Sequence, residues 1–290
     1  MHVVTQPLIP FPACDGRLEV HGIRASQDNL VWLVVCQETG EAALVDGPDD
    51  REAMAYCREV GVEPRVILNT HTHPDHIGLN RSLEKSGQLQ GWRVVGPESR
   101  APDIPGLTEP VEGGSTTHVG AVQGQVIKAD GHLDGHVAYR FGDVLFCGDA
   151  LFTGGCGYLF DGPPEVMFAT LCRLAALPGD TRVCCAHEYT MDNLRFAWMV
   201  EPDNPALAER IRDVWSQRAE GRCVVPSRLA EEQATNPFLR PGSAGIQARL
   251  KELCETPDLT TLGAVFAATR RLKDSGEHRS ITDEMLPLEG

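Results

Sequence analysis

Residues 70–78 read THTHPDHIG, which puts His71, His73, Asp75 and His76 within six positions of one another. Imidazole and carboxylate are the ligand types that suit zinc, iron or manganese. The stretch follows residues 65–69, a short β run. A loop leaving a strand can turn alternate side chains to one side, so His71 and His73 can share one ion while Asp75 and His76 serve a second. Four residues do not fill two coordination spheres, and the chain offers more at the ends of other strand-like runs. His132 lies in DGHLDGH, Asp149 in FCGDALF and His187 in CCAHEY, each beside Gly or Ala, which leaves room for side chains to converge. A lone histidine such as His2, His21, His118 or His278 reads as an ordinary surface or core residue. The H-x-H-x-D-H run with three partners in matching places does not. Two cations about 3.5–4 Å apart would bring the pKa of a bridging water towards or below neutrality, and the resulting hydroxide is the expected nucleophile. The same charge polarises a carbonyl and stabilises its oxyanion. Asp75 could also orient the hydroxide. G-x-S-x-G is absent, and no Ser or Cys nucleophile is required.

The elements that must position these residues are legible in outline. Residues 29–36, NLVWLVVC, form a continuous apolar run, and 41–45 follow after Thr39-Gly40, as a hairpin of buried strands would. Asp46-Gly47-Pro48 breaks the pattern. Residues 49–60 are spaced as a helix with an acidic start and Gly61 at its end. Strands are expected over 125–129, 137–141, 144–147 and 182–186, with Gly142-Asp143 as a hairpin turn, and a helix over 164–177 with Pro in its first turn. After His187 the pattern is helical only, over 192–200, 205–218, 227–234, 244–254 and 259–273, ahead of a polar tail.

The 290 residues are 42% apolar, enough for a full core, and carry a net charge of −15, which repels phosphate backbones and argues against a nucleic-acid partner. No apolar stretch reaches the 18 to 20 residues or so that span a bilayer, and residues 1–20 lack the pattern of an export signal, so a cytoplasmic location away from membranes is expected. The ten cysteines include no C-x-x-C pair and read as small buried apolar residues.

THTHPDH, together with His132, Asp149 and His187, resembles the seven-ligand set of the metallo-β-lactamase superfamily. The resemblance implies an α+β fold, a four-layer αββα sandwich with two divalent metal ions at one edge. His71, His73 and His132 would hold the first ion, Asp75, His76 and His187 the second, with Asp149 bridging. Zinc is the expected metal, and iron or manganese suits the same ligands. GDALFTGGCGYLFDG (148–162), AHEYTMDNLRFA (186–197), EEQATNPFLR (231–240) and TRRLKD (269–274) resemble, within that superfamily, the glyoxalase II family of hydroxyacylglutathione hydrolases. This likeness runs from about residue 20 to 275. It implies a catalytic domain over 1–187 and an all-helical glutathione-binding domain over 188–290; separately from the likeness, a monomer is expected. It also implies hydrolysis of S-D-lactoylglutathione to D-lactate and glutathione. Tyr189, Asn193, Arg270 and Lys273 would grip the tripeptide, with Tyr158 beside them, and His136 would organise the loop behind the ligands.

Independently of the likeness, Arg270, Arg271 and Lys273 cluster positive charge in an acidic chain, and Arg is shaped for a carboxylate. A thioester suits the site because its leaving thiol has a pKa of only about 8.5. The chain departs from the family in having Tyr158 where Lys or Arg is common, Phe160 where some members have Tyr, and Leu133 and Asp134 where Thr and Ser are usual. These bear on glutathione affinity and acyl preference rather than on hydrolysis. The competing expectations are a glutathione persulfide dioxygenase with one iron, a broader metallo-thioesterase, and a catalytically silent metal-binding adaptor. A β-lactamase and a nuclease rank behind them, the latter on charge.

Overall fold

Every side chain of the strand Asn29–Cys36 is buried. Leu30, Trp32, Val34 and Cys36 face one apolar core, and Val31, Leu33 and Val35 face another. A strand that is apolar on both faces must be covered on both, and the layers of this molecule do so. The computed structural model describes residues 2–289.

The first sheet runs in chain order through β1 (Phe11–Ala13), β2 (Leu18–Ala25), β3 (Asn29–Cys36), β4 (Ala42–Val45), β5 (Val66–Leu68), β6 (Arg93–Pro97) and β7 (Glu109–Val111). The second contains β8 (Thr116–Val119), β9 (Val122–Lys128), β10 (Val137–Phe141), β11 (Val144–Gly148), β14 (Arg182–Cys185) and β15 (Ser227–Arg228), in the order β15-β14-β11-β10-β9-β8. A short hairpin, β12 (Leu151–Phe152) with β13 (Gly155–Cys156), follows the second sheet's central strand. The sheets meet face to face through contacts such as Trp32 against Phe146, 6.3 Å between centroids. Helices α1 (Arg51–Val60) and α2 (Gly78–Lys85) cover the outer face of the first sheet with Ala53, Cys57, Leu79 and Leu83. Helix α3 (Pro164–Ala175) adds Met167, Leu171 and Leu174 to the core that contains the second sheet. The expected αββα sandwich is therefore present.

Helices α4 (Thr190–Val200), α5 (Pro205–Ala219), α6 (Leu229–Thr235), α7 (Ala244–Leu253) and α8 (Leu262–Ser275) follow. Asn204 caps α5 through the amides of Ala206 and Leu207, and Thr261 caps α8 through that of Ala264. Two details of this region differ from the expectation. Ser227 and Arg228 open as a strand paired antiparallel with Val183 and Arg182 rather than as helix, because β14 would otherwise leave an unpaired edge. The polar tail folds back, and Leu286 is buried in a cluster with Leu194, Leu207, Ile211 and Val214. Its apolar residues are too irregularly spaced to register as an element.

Strands β1, β2, β6, β7 and β8 and helix α2 carried no clear pattern of their own. In β2, Gly22 interrupts the apolar positions, and a Cβ there would strike Leu8 at 2.2 Å. All ten cysteines are free, and the expectation of burial holds for Cys36, Cys57, Cys147, Cys156, Cys184 and Cys185. Cys14, Cys223 and Cys254 are partly exposed, and Cys172 is exposed on α3. Among the described residues no helix is long and apolar enough to cross a membrane.

Candidate metal centre

The ends of β4, β5, β9, β11 and β14 open onto one edge of the sandwich, and all seven expected ligands come from the segments that follow them. His71, His73, His132 and Asp149 place one donor atom each within 4.8 Å of one another, and Asp75, His76 and His187 do the same. His73 Nδ1 lies 3.1 Å from His71 Nε2 and 3.0 Å from His132 Nε2. Three imidazole nitrogens this close can share one cation. Asp149 stands between the two groups. Its Oδ2 is 3.9 Å from His71 Nε2 and 3.4 Å from His132 Nε2, while its Oδ1 is 3.5 Å from both His76 Nε2 and His187 Nε2. Asp75 Oδ2 faces His187 Nε2 at 3.3 Å and His76 Nε2 at 3.6 Å.

Two observations fit this set to cations. His76 Nε2 and Asp149 Oδ1 are buried and make no hydrogen bond, a costly state that a metal ion relieves. The electrostatics also call for positive charge. Burial opposes protonation of His76, yet Asp149 and Asp46 hold it well above the usual histidine range. His187 is likewise raised, to about 9, by Asp149, Asp28 and Asp75 against the effect of burial. On the other side, burial keeps His71 well below its usual value and so neutral, the form that ligates.

A second group of residues fixes the orientation of these side chains, and the sequence reading did not find it. Asp46 accepts hydrogen bonds from Thr70 N at 2.8 Å and Thr70 Oγ1 at 2.7 Å, and its Oδ2 lies 3.0 Å from His76 Nδ1. Asp46, His71 and His76 also lie close enough to form a ligand set, but both carboxylate oxygens of Asp46 are already engaged in this way. Asp28 Oδ1 lies 2.8 Å from His187 Nδ1, and Asn29 Nδ2 donates to Asp75 Oδ2 at 3.0 Å. The Tyr158 carbonyl is 2.7 Å from His132 Nδ1. Partners of this kind set the tautomer and ring orientation of a ligating histidine. Asp46 sat at a predicted strand end, as the ligands do, and its position in VDGPDD was read only as a break. Its φ of 56° is uncommon for a residue other than Gly.

His136 is fully buried, its ring stacked on His71 at 4.6 Å, and its Nε2 accepts the Asp149 amide at 3.2 Å. It lies behind the cluster and supports the backbone that presents Asp149.

A model of the metallo-β-lactamase superfamily matches residues 28–187, and one described as hydroxyacylglutathione hydrolase C-terminus matches 188–276. A hydroxyacylglutathione hydrolase of Gloeobacter violaceus is 43% identical over 257 residues, 88% of this chain and 98% of that protein. One from Brucella ovis is 41% identical over 267 residues, 90% of this chain and 99% of that protein. The chain belongs to the hydroxyacylglutathione hydrolase family. Solved structures share the fold at lower identity. ETHE1 from Myxococcus xanthus matches with a TM-score of 0.58 at 24% identity, over 87% of this chain and 98% of that one. A metallo-β-lactamase from Staphylococcus aureus matches at 0.55 and 19%, over 84% and 67% respectively.

In this hydroxyacylglutathione hydrolase the residues expected to grip the tripeptide fall into two groups. Tyr189 is part-exposed and stacks on His187, centroids 4.8 Å apart. Tyr158 and Phe160 are exposed, and the Phe160 ring lies 4.9 Å from His73 and 5.2 Å from His132. Asn193 and Arg270 are buried, and the Lys273 side chain is largely covered. Asn193 donates to the Thr153 carbonyl at 3.1 Å. Arg270 directs its fork to Asp274 Oδ1 at 2.9 and 2.6 Å and a further N–H to the Cys156 carbonyl at 3.1 Å. Lys273 is paired with Asp192. The predicted basic cluster is therefore not an open patch, because a buried cation needs a partner, and only Arg271 points outward.

Proposed function

We propose that the chain hydrolyses S-D-lactoylglutathione to D-lactate and glutathione, using two zinc ions per chain. The observation that carries this reading is the division of Asp149, one carboxylate oxygen towards each histidine group, in a member of the hydroxyacylglutathione hydrolase family. His71, His73 and His132 would hold one ion, Asp75, His76 and His187 the other, with Asp149 shared. A bound pair of divalent cations acidifies water and polarises the thioester carbonyl.

The protein's own groups do the rest. Asp75, held by Asn29, accepts a hydrogen bond from the attacking water and orients it. Asp46 and Asp28 keep the distal nitrogens of His76 and His187 protonated so that their Nε2 atoms face the centre. Tyr189, Tyr158 and Phe160 wall the approach to the cluster, and Lys273 supplies positive charge for the glycine carboxylate. Arg270 and Asn193 secure the β12–β13 hairpin that carries part of this wall. Residues 1–187 form the catalytic unit and 188–290 the substrate-binding unit. A broader range of thioesters is favoured by one specific feature, the exposed Tyr158 and Phe160 rings beside His73.

The test follows the ultraviolet loss of the thioester before chelation, after chelation and after metal restoration, with elemental analysis of the restored protein. Chelator-sensitive turnover with two zinc ions per chain is the expected result. Turnover that survives complete metal removal overturns the mechanism, and a two-metal protein without turnover overturns the substrate.

A further inference from the structure

Lys273 lies near the end of α8 with only 9% of its side chain exposed. An ammonium has three hydrogens to donate, and two have oxygen acceptors here, Asp192 O at 3.2 Å and Asp192 Oδ2 at 2.5 Å, while His278 Nε2 lies 3.0 Å away. His278 is buried, and its Nε2 is also 3.2 Å from both Asp192 carboxylate oxygens. The first turn of α4, the last turn of α8 and the turn Glu277–Ser280 thus close into one charged unit. Its most accessible member is Asp192, whose side chain is 47% exposed. An anion approaching Lys273 therefore meets a carboxylate already in place.

We propose that Asp192 is an internal stand-in for the terminal carboxylate of the thiol arm, displaced when that carboxylate binds, and so a residue that determines how strongly this chain selects a carboxylate-bearing thioester. The proposal rests on the placement of Lys273 in the glutathione grip given above. The exchange replaces one carboxylate–ammonium bond with another, so the substrate gains only the difference. The displaced Asp192 stays nearby on α4 and repels the newcomer. A grip arranged in this way discriminates weakly between a thioester ending in a carboxylate and one ending in a neutral amide. Asp192→Asn removes the competing charge and keeps a carbonyl oxygen for Lys273, so α4 and α8 remain joined.

The experiment measures KM and kcat for S-D-lactoylglutathione and for the same thioester with its glycine carboxylate amidated. It also titrates binding of S-hexylglutathione and its amide, which need no turnover. Metal-loaded wild type, Asp192→Asn, Asp192→Glu and the double variant Asp192→Asn with Lys273→Met are compared. Wild type is expected to separate acid from amide by less than about threefold, and Asp192→Asn to tighten the acid form by about tenfold with kcat and the amide form unchanged, the scale of one charge-assisted contact. Asp192→Glu restores the weak separation, and the double variant loses the gain. A residue that merely clips two helices together would shift both forms equally, and that result overturns the proposal, as does an unchanged ratio in Asp192→Asn. Hydrolysis of both forms with an unaltered ratio sinks the exchange and leaves the reaction standing. Acid-selective tightening without any hydrolysis sinks the reaction and leaves the exchange. Neither binding nor hydrolysis of any form overturns both.

Discussion

Asp149 stands between the two histidine groups of the centre. Its two oxygens face different histidines, so replacing it removes a shared contact from both groups at once. Asp149→Ala is expected to leave fewer than two metal ions per chain and to lower kcat by at least about a thousandfold, read by elemental analysis and by thioester hydrolysis. Retention of two ions and full activity would refute the shared role. Asp46 acts at one remove, through His76 and Thr70, and Asp46→Asn should cost about 10- to 100-fold in metal affinity or activity, measured by competition with a chromogenic chelator. Lys273 provides a pH test. Burial pushes its ammonium down to about 8, although Asp192 pulls the other way. Between there and the ordinary lysine value of about 10.4, the unfolded chain binds more protons than the folded one, so this residue makes stability rise with pH across that window. The urea midpoint of Lys273→Met relative to wild type should therefore be higher at pH 7 than at pH 10.5, and a constant difference would contradict the burial of the charge.

The strand ends achieve convergence through backbone that few residue types can adopt. Gly148, the last residue of β11, has φ of 49°, and a Cβ there would lie 2.3 Å from Thr70 Oγ1 and 2.9 Å from His136 Nε2. Gly148→Ala should cost about 1–3 kcal/mol in strain, and because the displaced groups are those that orient His71 and Asp149, metal affinity should fall along with the thermal midpoint. An unchanged metal content would show that the β11 turn is not what aims Asp149. Gly157 plays the matching part in the loop after β13, where a Cβ would approach the Asp149 carbonyl at 2.1 Å. These requirements were half visible beforehand. The pairing of Gly with a ligand in FCGDALF was noticed as room for approach, whereas the close contact with Thr70 depends on two strands from different sheets meeting.

At the scale of the whole molecule, the helical region is not a loose attachment. Phe196, Phe238, Val265 and Phe266 belong to the same apolar core as the second sheet, and β15 pairs with β14. A chain ending at residue 187 should therefore fail to fold cooperatively, seen as loss of a single melting transition and as binding of an apolar dye. Carboxylates and histidines gathered in one buried place also make metal a stabiliser of the native state, so chelation should lower the thermal midpoint and restored metal should raise it again. The sequence by itself determined which histidines and carboxylates could ligate a metal, their order, and the strands β3, β5, β9, β11 and β14 around them. These follow from local chemistry, since a metal ligand or an apolar periodicity can be read within a few neighbouring residues. Tertiary structure alone decided that Asp46 and Asp28 orient His76 and His187, that Arg270 turns to Asp274, and that Asp192 occupies Lys273. Each of these pairings depends on which charged groups are buried together, and burial is set by the packing of distant elements rather than by the residues alongside.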